Sequence, residues 1–272
     1  MIGSILDANE FGGQTCIVTG AARGIGAAIA RTLAAHGGTV VVVDVDGDGA
    51  SEQAEALAQA GYAATARTAD VSSAADIDRL FADVTATVGP PRVLVNNAGI
   101  ATIAPSDLLE DEAWNRQIDI MLSGTFLMTR AAARSMLVSQ AGAIVNLSSI
   151  GGFAGHPGRS AYNAAKAGIS CLTQVLGVEW AARGIRVNAV APAVTRTEML
   201  EHVLRTLEGA TKLGEYVGRT PLGRLAEPEE IAEGVAFLAS AKASFITGTT
   251  MLIDGGWMLG SGIPADTARA PA

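Results

Sequence analysis

Cysteine is scarce: the 272-residue chain has two, Cys16 and Cys171, each in an apolar segment and neither at metal-ligand spacing. Both are expected to be small core residues, with no disulfide and no metal site. Long hydrophobic runs are missing as well. None approaches the roughly 18 residues of a membrane-spanning helix, and residues 1–13 lack the basic start and apolar block of a secretory signal. The expected location is the cytoplasm, with no membrane partner. Positive charge is also short. The formal net charge is -8, and no basic patch offers nucleic acid the cations it needs. Neither an internal repeat nor an interdomain linker is visible, so residues 1–272 are expected to form one domain with a deep core.

Glycine, by contrast, is plentiful, and its 32 residues are scattered singly rather than in tracts. That suits a fold with many tight turns between strands and helices. From about Gln14 to Asp254, apolar β-rich runs alternate with longer helical patterns. The expected strands are 15–19, 39–44, 63–68, 93–96, 143–147, 186–190 and 250–253. The expected helices are 25–36, 49–60, 74–88, 111–139, 161–182 and 228–240. Right-handed crossovers then give an α/β fold, a doubly wound, seven-stranded parallel sheet with helices on both faces. The rhythm breaks at 195–222, whose polar and glycine content fits either a lid over a site or an ordinary surface helix. The tail, 258–272, has no periodic pattern and is expected to fray.

The first strand runs into Thr19-Gly20-Ala21-Ala22-Arg23-Gly24-Ile25-Gly26, which opens the first helix. Gly20, Gly24 and Gly26 permit a tight turn and let a pyrophosphate approach backbone N–H groups at the positive end of that helix. A strand before and a helix after supply the context that a bare glycine pattern lacks. Asp44 ends the second strand, where an adenosine ribose is expected. Its carboxylate can accept from both ribose hydroxyls and repels a 2′-phosphate, which favours NAD over NADP. Arg23 is either a cation able to neutralise such a phosphate or a plain surface charge. After the third strand come Asp70 and Val71. Asp70 either accepts from an adenine amino group or caps the helix that begins near Ser72. The fourth strand closes on Asn96, Asn97, Ala98 and Gly99, where asparagines can bridge strand ends and small residues leave room for a cofactor.

Tyr162 and Lys166 stand one helical turn apart on one face. An adjacent cation favours a phenolate, making a phenol a usable proton donor and acceptor. Ser149 can hydrogen-bond the oxygen whose proton moves. Together the three make an acid/base site for interconverting an alcohol and a ketone, and such a site needs a hydride carrier.

These residues together resemble the short-chain dehydrogenase/reductase family over residues 12–257. The resemblance rests on Thr19 to Gly26, Asn96 to Gly99, Ser149 with Tyr162-Asn163-Ala164-Ala165-Lys166, Arg186-Val187-Asn188-Ala189-Val190-Ala191-Pro192, and Ile246-Thr247-Gly248 with Asp254-Gly255-Gly256. It implies a single Rossmann-type domain. It also implies that Ser149 orients the substrate oxygen, that Tyr162 is the general acid/base, and that Lys166 favours the phenolate and holds the nicotinamide ribose. The segment after Pro192, with Thr195 and Thr197, would meet the nicotinamide end. A homo-oligomer, often a tetramer, is implied too, built by pairing the long helices that carry Met121 and Tyr162.

Two residues depart from the family pattern. Met121 stands where a catalytic asparagine usually helps hold a water in the proton path, and a thioether is too weak an acceptor to replace it. Ala193 stands where a glycine usually follows Pro192. Met121 leaves three readings open: a working enzyme whose relay uses Gln117 or Thr125, a slowed enzyme, or a non-catalytic dinucleotide-binding protein. The expected substrate wall is Ile100, Gly151, Phe153, His156, Val194 and Met199. Most of these are apolar, suggesting a small-molecule secondary alcohol or ketone, alicyclic or steroid-like. His156 either touches substrate or lies on the surface of its loop. A phosphorylated or CoA-linked substrate would want a basic cluster, and the lid offers only Arg196, Arg205 and Lys212. The expectation is an NAD-dependent alcohol/ketone oxidoreductase; the nearest alternative is an NADP-dependent ketoacyl-type reductase.

Overall fold

Four consecutive valines, Val40 to Val43, show how the sheet is built. Val40 and Val42 join the core on one face, and Val41 and Val43 join the core on the other. Alternation of side chains puts a continuous apolar run on both faces at once, as a parallel sheet covered on both sides requires. The computed structural model describes residues 6–197, 200 and 207–260. Its first half runs β1 (Thr15–Thr19), α1 (Gly24–Ala35), β2 (Thr39–Asp44), α2 (Gly47–Gln59), β3 (Ala64–Thr68), α3 (Ala74–Thr87) and β4 (Pro91–Asn96). Next come α4 (Asp111–Ile118), a π-helical turn (Asp119–Ser123), α5 (Gly124–Ser139), β5 (Gly142–Leu147) and a 3-10 turn (Ile150–Gly152). The chain continues through α6 (Ser160–Ala181), β6 (Ile185–Pro192), α7 (Leu207–Arg219), α8 (Pro228–Ala239) and β7 (Thr250–Ile253).

All seven strands are parallel, in the order β3-β2-β1-β4-β5-β6-β7. This is the expected doubly wound sheet. Residues of α1, α2 and α8 pack on one face, and residues of α3, α5 and α6 on the other. The winding reverses between β1 and β4, and a crevice opens there beyond the strand C-termini. Among the described residues no helix is long and apolar enough to cross a membrane.

Local chemistry moved several boundaries. Asp46 caps α2 by accepting from the Gly49 N–H at 3.1 Å, so this helix begins at Gly47 rather than 49. The expected helix 111–139 is not continuous. Five residues, Asp119–Ser123, wind as a π-turn between α4 and α5. The wider turn swings Met121 into full burial, packed with Ala165 and Ile169 of α6. Gly124 then closes on β3's exit: a Cβ there would come within 2.9 Å of the Val71 carbonyl oxygen.

Cys16 is buried as expected, and burial pushes its thiol up to about 12. Cys171 is exposed, which corrects the expectation of a core residue. It begins an outward stripe on α6, followed one and two turns later by the exposed Val175 and Val178. An apolar face at helical spacing reads the same whether it meets a core or lies outside.

The described part of the 195–222 segment starts with a bridge pairing Thr195 with Ala226 and ends in α7. Residues 258–260 continue the turn after β7, with the Gly260 N–H donating to the Gly256 carbonyl at 2.8 Å. Met199, Arg205, the side chain of Lys212 and residues 261–272 lie outside the described residues.

Candidate active site

The crevice begins at the glycine turn between β1 and α1. Gly20 and Gly24 have φ of 63° and 59°, in the left-handed region where a side chain is strained. Gly26 is packed more tightly still: a Cβ there would lie 2.1 Å from the Gly20 carbonyl oxygen. The turn is held from β4. Asn97 Nδ2 donates to the carbonyls of Thr19 and Gly20 at 2.9 and 2.8 Å. Thr19 Oγ1 accepts from the N–H groups of Asn97 and Ala98 at 3.0 and 3.1 Å. Such a turn at a helix N-terminus, its glycines carrying no side chains of their own, fits a pyrophosphate. Thr197 reaches the same turn from beyond β6, its Cγ2 3.6 Å from where a Gly24 Cβ would lie.

Asp44 stands at the end of β2, anchored by backbone: Oδ2 accepts from Ala22 N–H and Oδ1 from Asp46 N–H, both at 3.1 Å. Arg23 is exposed and turns toward Asp46, its Nη2 3.7 Å from the carboxylate. Asp70 does not cap α3. Ser73 does, accepting from Asp76 N–H at 3.3 Å, while Asp70 Oδ1 takes the Ser72 N–H and hydroxyl at 2.8 and 2.6 Å. Asn96 is structural, donating to Thr129 Oγ1 and Asn146 Oδ1 at 2.8 and 2.9 Å.

Ser149, Tyr162 and Lys166 meet farther along the crevice. Ser149 follows β5 and accepts from the Gly151 N–H at 3.0 Å, which leaves its own hydrogen free to donate. Gly151 lies against the tyrosine: a Cβ on it would be 3.4 Å from Tyr162 Cε1 and 2.7 Å from Asn163 Oδ1. Lys166 Nζ sits 5.7 Å from the Tyr162 ring centroid and donates to the Leu147 carbonyl at 2.6 Å. The lysine is buried, and desolvation brings its ammonium down from 10.5 to about 8.

The Met121 side chain borders this site at Gly99, where an added Cβ would lie 3.5 Å from Met121 Cγ and 3.6 Å from Sδ. Gln117 is already committed elsewhere. Its Oε1 accepts from Thr102 N–H at 3.1 Å and its Nε2 donates to the Ala113 carbonyl at 3.2 Å. Of the two substitutes that helical spacing suggested for the missing asparagine, Gln117 serves to tie the loop after β4 to α4.

A family model described as enoyl-(acyl carrier protein) reductase matches residues 20–258. A cis-4-hydroxycyclohexanecarboxylate dehydrogenase of Sinomonas cyclohexanicum is 44% identical over 248 residues, covering 91% of this chain and 97% of the relative. The chain belongs to the short-chain dehydrogenase/reductase family. A 3beta-hydroxysteroid dehydrogenase 1 of Eggerthella lenta is 40% identical over 92% of this chain and 96% of its own length. Among solved structures, a gluconate 5-dehydrogenase from Burkholderia cenocepacia J2315 in complex with NADP and tartrate aligns with a TM-score of 0.87. Its identity is 32%, and the alignment covers 92% of this chain and 98% of that one. As a short-chain dehydrogenase/reductase, the chain is an NAD(P)-dependent oxidoreductase.

In this dehydrogenase/reductase the mouth of the site holds residues that sequence reading passed over. The Arg159 guanidinium lies 5.8 Å from the Tyr162 ring centroid. The Arg219 guanidinium lies 4.3 Å from the Trp257 ring centroid, and the His156 ring lies tilted against the same indole, centroids 5.3 Å apart. His156 is therefore half-buried against Trp257 rather than free on its loop. Burial, and then the charges of Arg159 and Arg219, lower its pKa. Arg159 and Arg219 belong to different elements far apart in sequence, and no spacing signal connects them. Of the expected wall, Gly151 is buried, Ile100 and Val194 are half-buried, and Phe153 is exposed.

Proposed function

We propose that this short-chain dehydrogenase/reductase interconverts a secondary alcohol on an alicyclic body with its ketone, prefers NAD to NADP, and uses Tyr162 as general acid/base. The observation that carries this reading is the meeting of Ser149, Tyr162 and a buried Lys166 at one end of a crevice whose other end is the glycine turn. Relatives that act on a hydroxycyclohexanecarboxylate and a hydroxysteroid support the alicyclic body.

The dinucleotide, held by Gly20, Arg23, Gly24, Ile25, Gly26, Asp44, Asp70, Val71, Asn97, Ala98, Gly99, Pro192, Thr195 and Thr197, supplies a hydride acceptor or donor when bound. The protein's own residues move the proton. Ser149 spends its acceptor on Gly151 and donates to the substrate oxygen. Tyr162, as phenolate, takes the hydroxyl proton in oxidation and returns it in reduction. Lys166 gives one N–H to Leu147 and keeps two, one for the nicotinamide ribose and one toward the phenol or solvent. Asp44, with its two oxygens fixed by backbone donors, retains lone pairs for the ribose hydroxyls and a charge that opposes a 2′-phosphate.

Tyr162→Phe should lower kcat by about 10²- to 10⁴-fold while dinucleotide binding persists. Unchanged turnover on a good substrate would remove the acid/base assignment. Met121 favours a second reading, a slowed proton relay, because its thioether is a weak acceptor and Gln117 is engaged elsewhere. We further propose a cytoplasmic homotetramer, with the Cys171, Val175 and Val178 stripe of α6 and the exposed Phe126 of α5 buried between subunits. A monomer in light scattering would rule that out.

A further inference from the structure

Arg159 and Arg219 are two cations beside the site in a chain with 27 acidic and 19 basic residues. Arg23, Arg67, Arg79, Arg134, Arg196 and Arg224 all pair with carboxylates. Neither Arg159 nor Arg219 makes an ion pair among the described residues; like Arg130 over Phe126, each lies over an aromatic ring, and these two rings, Tyr162 and Trp257, are at the site. Both lie near His156: the Arg159 backbone N–H donates to the His156 carbonyl at 3.2 Å, and Arg219 and the His156 ring both lie against Trp257. Two unneutralised guanidiniums near one imidazole repel each other, and an anion bound by both relieves that repulsion. The half-buried rings of Tyr162 and His156 lie beside them and suit an apolar body. The Trp257 indole N–H is buried with no partner among the described residues, a further donor in the same cluster.

We propose that the substrate carries a carboxylate at the end remote from its reacting hydroxyl, and that Arg159 and Arg219 bind this carboxylate at the mouth of the site while the ring between lies along His156. This rests on the alcohol/ketone reading above and names the substrate class within it: an alicyclic hydroxy acid. Guanidiniums suit the task because they grip a carboxylate through two parallel hydrogen bonds. The grip acts on a group that does not react, so its effect falls mainly on KM.

The test compares 4-hydroxycyclohexanecarboxylate with its neutral carboxamide as substrates of the full chain, with NAD and with NADP. The readout is the ratio of the two kcat/KM values. The expected ratio favours the acid by about tenfold or more, through KM, and falls toward one in the Arg159→Ala, Arg219→Ala double variant. Arg219→Lys in place of Arg219→Ala should restore part of it. A ratio near one in the wild-type protein, or one that the double variant leaves unchanged, overturns the anion subsite. If neutral secondary alcohols are oxidised and the acid is not, the subsite falls and the oxidoreductase reading stands. If neither compound turns over, tryptophan fluorescence titrated with cyclohexanecarboxylate and with cyclohexanecarboxamide decides. Saturable quenching by the acid alone, lost in Arg219→Ala, keeps the subsite and moves the failure to the alcohol reading. No response to the acid overturns the subsite.

Discussion

The two ends of the crevice are built on different principles. At the glycine turn every constraint is steric and local: a missing Cβ at Gly26, left-handed backbone at Gly20 and Gly24, an asparagine spanning two carbonyls. At the mouth the constraint is a meeting of side chains from α6, α7 and the turn after β7, held by ring faces and charge. The first kind of site tolerates almost no substitution because backbone has nowhere to move. The second kind can exchange one side chain for another and keep its shape, which in the reading proposed above suits a dinucleotide grip at the first end and the choice of substrate at the second.

The hardest blow to this contrast is aimed at the rigid end. Gly26→Ala places a methyl group against the Gly20 carbonyl, and dinucleotide binding should be lost altogether or the melting temperature should fall by several degrees. Near wild-type affinity for NADH in isothermal titration would show the turn to be softer than its packing implies.

Next in size is the response of Lys166 to pH. Its folded pKa of about 8 lies below the ordinary 10.5, so between these values the unfolded chain binds more protons and stability rises with pH. Below about 8 the burial cost is present in full, on the order of 3 kcal/mol. The unfolding free energy of the wild-type protein relative to Lys166→Met, measured in urea, should therefore grow from pH 8 toward 10.5. A flat difference would mean that the ammonium is better solvated than its burial suggests.

A smaller effect is expected at Asp44. Asp44→Ala should raise NADPH affinity relative to NADH by about tenfold, by removing the charge that opposes a 2′-phosphate. Equal dissociation constants for both cofactors in the wild-type protein would already exclude the NAD preference.

The smallest expected effect is that of Met121→Asn, which tests whether the proton route is impaired. A rise in kcat of a few-fold marks a slowed relay; no change marks another route for the proton.

Much of the rigid end was legible in the sequence, because sterics leave signatures. Glycines at fixed offsets, a carboxylate at a strand end and an unbroken run of valines have few other uses, and the sheet followed from them. The tyrosine and lysine were legible for a similar reason, since four residues on a helix fix a shared face. The mouth was not legible. Arg159 and Arg219 carry no pattern, and only the folded chain brings them to one imidazole. The π-turn was hidden because the apolar rhythm of 111–139 runs on through it, and Cys171 misled because an outward stripe has the period of a core. The Asp70 ambiguity arose from two cap formers standing close together, and the backbone chose Ser73.

The π-turn sets the phase of everything on either side of it. An α-helix turns about 100° per residue, and a π-turn accommodates one residue more than an α turn. α4, packed against α6, and α5, packed on β4 and α3, are thus indexed separately though they follow each other without a break. Deleting any one residue of Asp119–Ser123 would heal the helix into a regular rod and rotate α4 by roughly 100° against α5. Gln117 would leave the Thr102 loop, and Met121 would leave Gly99. One surplus residue is the clutch between the scaffold and the wall of the reaction chamber, and the length of this segment is as strictly set as any side chain in the site.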